Sequence, residues 1–320
     1  MLTDLPTDRP GRPPRIGLAL GGGAARGWAH IGVIRALERA GIKADVITGT
    51  SIGAVVGGCH AAGKLAELED FARSLTKSRV LWLMDFHIGS GLIGGERLKK
   101  LLVRDVGGLA IEDLPTRFAA VATELRTGHE IWLTRGHLVE ALQASYALPG
   151  IFDPIRLGGR WLFDGALVNP IPVTTARAMS ADLIIAVNLN HDLYGRGAVI
   201  PDHGSLAEPP TDEMAETLAE GLFSPVIGAA RSIGQRMTRR SVTGPGLASV
   251  MVDAFNITQD RIARSRLAGD PPDIHLKPKL GRVGLFDFHR AEECIALGEN
   301  AVAHALDEIQ AAMESLTQPA

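Results

Sequence analysis

A serine flanked on both sides at a two-residue distance by glycine, in Gly49-Thr50-Ser51-Ile52-Gly53, lies between an apolar run, Asp45 to Gly49, and a stretch of small residues at helical spacing, Ala54 to Ala62. This spacing suits a nucleophile. A strand that turns sharply into a helix pushes the central hydroxyl clear of the sheet, and glycine at both ends keeps Cβ atoms out of the bend. The alternative role for Ser51 is that of a plain helix cap. A second cluster, Gly21-Gly22-Gly23-Ala24-Ala25-Arg26-Gly27, follows the apolar run Arg15 to Leu20. Backbone N–H groups without bulky side chains at a helix N-terminus attract negative charge. Those of Gly22, Gly23 and Ala24 are therefore candidate donors to the oxyanion that develops in acyl transfer, with a phosphate as the competing ligand. The third cluster, Trp161-Leu162-Phe163-Asp164-Gly165-Ala166, is an apolar strand ending in Asp-Gly. A carboxylate there that reaches Ser51 can accept its proton during attack; otherwise the pair is a simple turn.

The phosphate reading fails on spacing. Counted from Gly21, a dinucleotide fingerprint requires Gly or Ala where Arg26 stands, and Asp45 begins the second strand instead of ending it. Gly58 to Lys64 matches G-x-x-x-x-G-K, but Leu65 replaces the metal-binding hydroxyl and the stretch falls inside a helical pattern.

Two strand-turn-helix units in succession, with the first helical pattern running from Ala25 to Ala40, require a parallel sheet to position these clusters. Further strands are expected at Phe118–Thr123, Glu130–Thr134, Arg160–Phe163, Leu183–Asn188 and Asp273–Leu276. Helices are expected at Leu138–Tyr146, Val173–Met179, Glu213–Met237, Leu247–Leu267 and Arg290–Glu314. The stretch His191 to Pro210, rich in Gly and Pro, reads as a long surface loop. The expected organisation is an arm over 1–14, a catalytic core over 15–190, a loop with a flap or cap helix over 191–250, and a C-terminal strand with helices over 251–320 that completes the same domain.

A chain of 320 residues with 46% hydrophobic and 22% charged residues can bury a substantial core. The formal charge of -3 is spread along the chain without a basic stripe, which argues against a nucleic-acid partner. Cys59 and Cys294 stand far apart in apolar contexts, as expected of buried thiols in a reducing compartment. No apolar run reaches the length of a spanning helix and the first residues lack a signal-peptide core, so a cytoplasmic location with optional peripheral membrane contact is expected. His and Cys show no zinc-type pairing, so no metal and no cofactor are expected. Oligomeric state leaves no trace in the sequence.

Taken together, GGGAARG after a first strand, GTSIG after a second, and DGA followed by Leu167-Val168-Asn169-Pro170-Ile171-Pro172 resemble the patatin-like phospholipase family in order and spacing. Ser145-Tyr146-Ala147-Leu148-Pro149-Gly150-Ile151-Phe152 is similar to a further block of that family, and Asn256 to Pro278 is similar to the end of its compact bacterial members. The resemblance implies a three-layer α/β/α sandwich with a mostly parallel sheet. It also implies a Ser51–Asp164 dyad that hydrolyses acyl chains from phospholipids or simpler esters. Gly22, Gly23 and Ala24 would then hold the oxyanion, within a scaffold of Gly21, Gly49, Gly53 and Gly165. Arg26 is implied to fix the glycine loop, although an ordinary solvated helix residue reads equally well.

Two rivals remain at this level. Ser51, Asp164 and His191 occur in the chain order of an α/β-hydrolase triad, and a non-catalytic binding or regulatory protein can persist on the same fold. Within 213–240 an acidic first half precedes Arg231, Arg236, Arg239 and Arg240. The part from 226 to 240 is therefore a candidate for peripheral membrane contact, and a helix covering the core or the active-site mouth is the alternative.

Overall fold

The computed structural model describes residues 13–83, 85–86, 93–94, 96–149, 151–193 and 247–317. The expected flap at 213–240, its membrane contact at 226–240, and most of the loop from 191 and of the N-terminal arm lie outside the described residues. The chain divides into two compact units, one of residues 1–192 with 259–320 and one of 193–258. The first unit carries the sheets.

Its strands are β1 (Ile16–Leu20), β2 (Val46–Thr50), β3 (Asp85–Phe86), β4 (Ile93–Gly94), β5 (Arg117–Glu124), β6 (Glu130–Leu133), β7 (Ile155–Leu157), β8 (Arg160–Asp164), β9 (Leu183–Val187) and β10 (Ile274–Leu276). Its helices are α1 (Ala29–Arg39), α2 (Ile52–Ala61), α3 (Leu65–Arg73), α4 (Lys77–Leu83), α5 (Glu96–Val106), α6 (Leu138–Tyr146) and α7 (Val173–Ala178). A long helix α8 (Leu247–Gly269) continues in from the second unit, and α9 (Ala291–Thr317) ends the described chain.

The main sheet runs β10-β9-β1-β2-β5-β8-β7, with β6 on β5. Strands β10, β9, β1, β2 and β5 are parallel, while β6, β8 and β7 pair antiparallel. Every residue of β1, β2 and β9 is buried. That is why these strands read as continuous apolar runs: a parallel sheet carries helices on both faces. On one face Ala19, Ile184 and Ala186 pack with Val173 and Ala176 of α7 and Ala263 of α8. On the other, α2 packs over β2 and β5, flanked by α6, and α1 is backed by α9. The result is a three-layer sandwich around a mostly parallel sheet.

The elements depart from the sequence reading in three places. The first helical pattern opens as a 3-10 turn over Ala24–Trp28, closed by Arg26 N–H donating to Gly23 O, and becomes α-helical only at Ala29. Helices α3, α4 and α5 and the short strand β7 fill segments that carried no assignment. Strand β8 runs against its neighbour β5, so its carboxyl end reaches the site from the opposite direction to the parallel strands.

The two registers on β5 explain how the motifs meet. Val46 to Thr50 pair with Arg117 to Val121, whereas Leu162 to Asp164 pair with Glu124 to Ala122. Strand β6 pairs with Ala120 to Thr123, overlapping both, so it holds the other edge of β5. Strands β2 and β8 therefore share one edge and run head to head. Thr50 stops opposite Val121 and Asp164 opposite Ala122, so the residue after β2 and the last residue of β8 are brought face to face.

Candidate active site

Ser51 occupies the turn from β2 into α2 with φ 56° and ψ −124°, a left-handed conformation uncommon for a residue with a side chain. Close packing enforces this bend. A Cβ on Gly49 would stand 2.5 Å from the backbone of Ala54, and one on Gly53 would stand 2.2 Å from Leu20 O. The strained backbone aims Ser51 Oγ at Asp164, to which it donates at 2.6 Å.

Asp164 is 1% exposed. Its Oδ2 accepts from Ser51, and its Oδ1 accepts from Ala166 N–H at 2.8 Å. Burial raises its pKa from 3.8 to about 6, against the opposing effect of these two hydrogen bonds. The backbone around it is fixed from three sides. Its N–H donates to Ala147 O, its carbonyl accepts from Thr123 Oγ1, and Gly165 lies so close to β5 that a Cβ would meet Val121 O at 2.3 Å.

Ser145, at the end of α6 and fully buried, was not singled out as a site residue. Its Oγ accepts from Ser51 N–H at 2.9 Å and donates to Val121 O at 2.6 Å. One hydroxyl thus links the elbow to β5 at the point where β2 ends. The sequence marks it as a polar residue near the end of α6 and as the first residue of the block Ser145 to Phe152.

The glycine loop crosses above this pair. A methyl on Gly22 would come within 3.5 Å of both Ser51 Cβ and Ala166 Cβ, so the three motifs converge on one point. The loop is held by its own backbone. Gly21 N–H donates to Val187 O at 3.1 Å and Gly22 N–H donates to Pro170 O at 3.0 Å. Gly22 was expected to offer its N–H to an oxyanion, but that group is engaged by the loop following Asp164. Among the described residues the N–H groups of Gly23 and Ala24 have no such partner, while Ala25 N–H donates to Leu285 O.

Arg26 is 5% exposed, which removes the solvated alternative. Its Nε donates to Val283 O and its Nη1 to Asn190 Oδ1, and Asn190 Nδ2 approaches Gly22 O at 3.4 Å. His30, also absent from the sequence reading of the site, lies fully buried with Nε2 2.8 Å from Gly21 O. Burial pushes its pKa down to about 4, so it is neutral, and the carbonyl partner requires the proton on Nε2. His191 is exposed, and no hydrogen bond of Ser51 or Asp164 involves a histidine. Among the described residues no cluster of His, Cys, Asp and Glu is arranged to hold a metal ion.

Residues 18–177, half of the chain, match the family model of patatin-like phospholipases. An uncharacterized NTE family protein of Mycobacterium bovis is 36% identical over 93% of this chain and 92% of its own. The lysophospholipase nte1 of Emericella nidulans is 32% identical over 88% of this chain, which corresponds to 17% of that protein. Among solved structures, VipD from Legionella pneumophila superposes with a TM-score of 0.44 at 14% identity, covering 93% of this chain and 68% of that one. With a family model spanning half of its length and a relative of comparable size at 36% identity, the chain belongs to the patatin-like phospholipase family.

Proposed function

We propose that this protein is a serine lipid acyl hydrolase, of phospholipase A, lysophospholipase or carboxylesterase type, in which Ser51 is the nucleophile and Asp164 the base. The observation that carries this reading is the 2.6 Å hydrogen bond from Ser51 Oγ to a buried carboxylate. In the first half-reaction Ser51 Oγ attacks the ester carbonyl carbon and its proton passes to Asp164. The oxyanion so formed is held by Gly23 and Ala24, whose N–H groups have no partner among the described residues, and the helix dipole of α2 adds favourable field. Collapse expels the alcohol, which takes the proton from Asp164 and leaves the acyl chain on Ser51. In the second half-reaction water attacks the acyl-enzyme, gives its proton to Asp164, and the carboxylic acid departs as Ser51 recovers the proton. A carboxylate with pKa about 6 is a stronger base than an exposed one yet still ionised at neutral pH.

Both oxygens of Asp164 are occupied by Ser51 and Ala166, which leaves a histidine no place between base and nucleophile and favours the dyad over a triad with His191. The intact constellation favours catalysis over a non-catalytic binding role, and the chemistry of the dyad calls for no cofactor. Among the described residues no helix is long and apolar enough to cross a membrane, and both cysteines are free and buried. A cytoplasmic setting with access to the inner membrane face fits these features.

The test is a panel of p-nitrophenyl esters, lysophospholipids and diacyl phospholipids offered to wild type and Ser51→Ala. Loss of hydrolysis by several powers of ten, with unchanged circular dichroism, is expected. Folded variant retaining activity within about tenfold of wild type removes Ser51 from the role.

A further inference from the structure

Strand β5 does not stop where β2 does. It runs on past Val121, the partner of Thr50, to Glu124, and the next residue, Leu125, donates its N–H to Trp161 O at 2.8 Å. At about 3.3 Å per residue, the two hairpins β5–β6 and β7–β8 extend roughly 13 Å beyond the level of Ser51, on the side where the parallel strands end. Their tips carry Leu125 and Trp161, 52% and 43% exposed, together with the exposed Arg126, Arg156 and Arg160. Trp161 lies directly opposite Arg156 in the ladder.

Trp161 and the three arginines, with Glu124, Thr127 and the turn Gly158-Gly159, line an open cleft of about 620 Å³. Three guanidinium groups face one carboxylate, and that carboxylate is already committed to Thr127, whose N–H it accepts at 2.7 Å. Among the described residues no salt bridge or side-chain hydrogen bond holds the three guanidinium groups; the Arg126 backbone N–H bonds Glu124, and the Arg160 charge acts on the same carboxylate. Three exposed guanidinium groups with one shared carboxylate, beside an exposed indole and an exposed leucine, leave an excess of positive charge at the tips. They match the chemistry of an anionic bilayer surface, where phosphodiesters meet the edge of the apolar layer and tryptophan partitions readily.

We propose that the paired hairpin tips are a docking surface for anionic phospholipid bilayers, with the cleft taking a phosphodiester headgroup and Trp161 and Leu125 entering the interfacial layer. The proposal rests on the reading of the protein as a lipid acyl hydrolase, for which it supplies the contact with aggregated substrate. Each Arg near an anionic surface strengthens binding several-fold, so removing three is expected to lower vesicle partitioning by roughly a hundredfold.

The experiment is co-sedimentation with vesicles of phosphatidylglycerol and phosphatidylcholine, compared with pure phosphatidylcholine, at about 0.1 M salt and again at about 1 M. It is run on wild type, Arg126→Ser/Arg156→Ser/Arg160→Ser and Leu125→Ser/Trp161→Ser, each checked for fold by circular dichroism. Wild type should bind the anionic vesicles and release them at high salt. The arginine variant should lose binding, the Leu/Trp variant should bind weakly, and both should hydrolyse a soluble short-chain p-nitrophenyl ester within twofold of wild type. Absence of wild-type binding, or full binding by the arginine variant, overturns the proposal. Release of wild type by millimolar inorganic phosphate at constant ionic strength overturns it as well, because the cleft is then a soluble-anion site. A wild type that docks through these residues yet cleaves no ester refutes the hydrolase reading and leaves the docking surface standing.

Discussion

Replacing Asp164 by Asn should disable the protein and stabilise it at the same time. A pKa raised from 3.8 to about 6 means that the folded state prefers the protonated carboxyl. At roughly 1.4 kcal/mol for each tenfold change in proton affinity, holding this charge in a buried site at pH 8 costs about 3 kcal/mol. The sign follows from the direction of the shift. The group's stabilising preference is fully present below about pH 4, is lost as pH rises through about 6, and stays lost above that. Asparagine is neutral throughout and escapes the loss. It has one acceptor oxygen where Asp164 uses two, for Ser51 and Ala166, so part of the gain is forfeited and about 1–3 kcal/mol should remain. Urea denaturation from pH 4.5 to 8 reads this directly: the midpoint gap between variant and wild type should open as pH rises and level off above pH 7. In parallel, kcat/KM of wild type should fall on the acid side with a midpoint near pH 6, while Asp164→Asn loses about two to four powers of ten at any pH. If the stability gap is absent at pH 8, or has the same size at pH 4.5, the carboxylate is not carried as a buried charge and the argument for its basicity collapses.

Two further outcomes test the surroundings of the pair. Ser145→Ala removes the hydroxyl that accepts from Ser51 N–H and donates to Val121 O, leaving both groups unpaired in a buried site. A stability loss of about 2–4 kcal/mol by urea titration, with kcat reduced about tenfold and KM little changed, is expected. His191→Ala should keep steady-state ester hydrolysis within roughly tenfold of wild type, and a variant as inactive as Ser51→Ala would restore the histidine as general base.

What could be read from the sequence was what is encoded locally. Strand β2, the Gly49 to Gly53 bend and helix α2 are contiguous, and their glycines are dictated by contacts within the same unit or with β1 next to it, so the elbow was legible. Asp164 stood out because an apolar strand running into Asp-Gly is itself a local pattern. The engagement of Gly22 was invisible, because its partner, Pro170, lies far along the chain in a loop whose path depends on the whole sheet. Arg26 read as either of two things for the same reason: its partners Val283 and Asn190 come from segments with no local link to it. Ser145, 94 residues from Ser51, is a long-range partner of the same kind, whereas His30 bonds Gly21 within the first strand-turn-helix unit and has no motif of its own to mark it. Helices α3 to α5 carry no chemical motif, and the amphipathic spacing of α5 is its mark in the sequence. Strand β8 is legible as an apolar strand ending in Asp-Gly, but its antiparallel sense is decided by pairing and not by composition.

The head-to-head arrangement of β2 and β8 makes β5 a ruler for the reaction. Nucleophile and base belong to strands that do not follow one another in the sheet ladder, and their separation is set by two consecutive residues, Val121 and Ala122, of a third strand. A slip of β8 by one residue along that ruler would displace Asp164 by about 3.3 Å and turn its side chain to the other face. Insertions into the connection 62–116, between β2 and β5, leave the graduation untouched. A single residue inserted into β5 between 121 and 122 would bulge the ruler itself, and would disable the enzyme with every side chain of the dyad still in place.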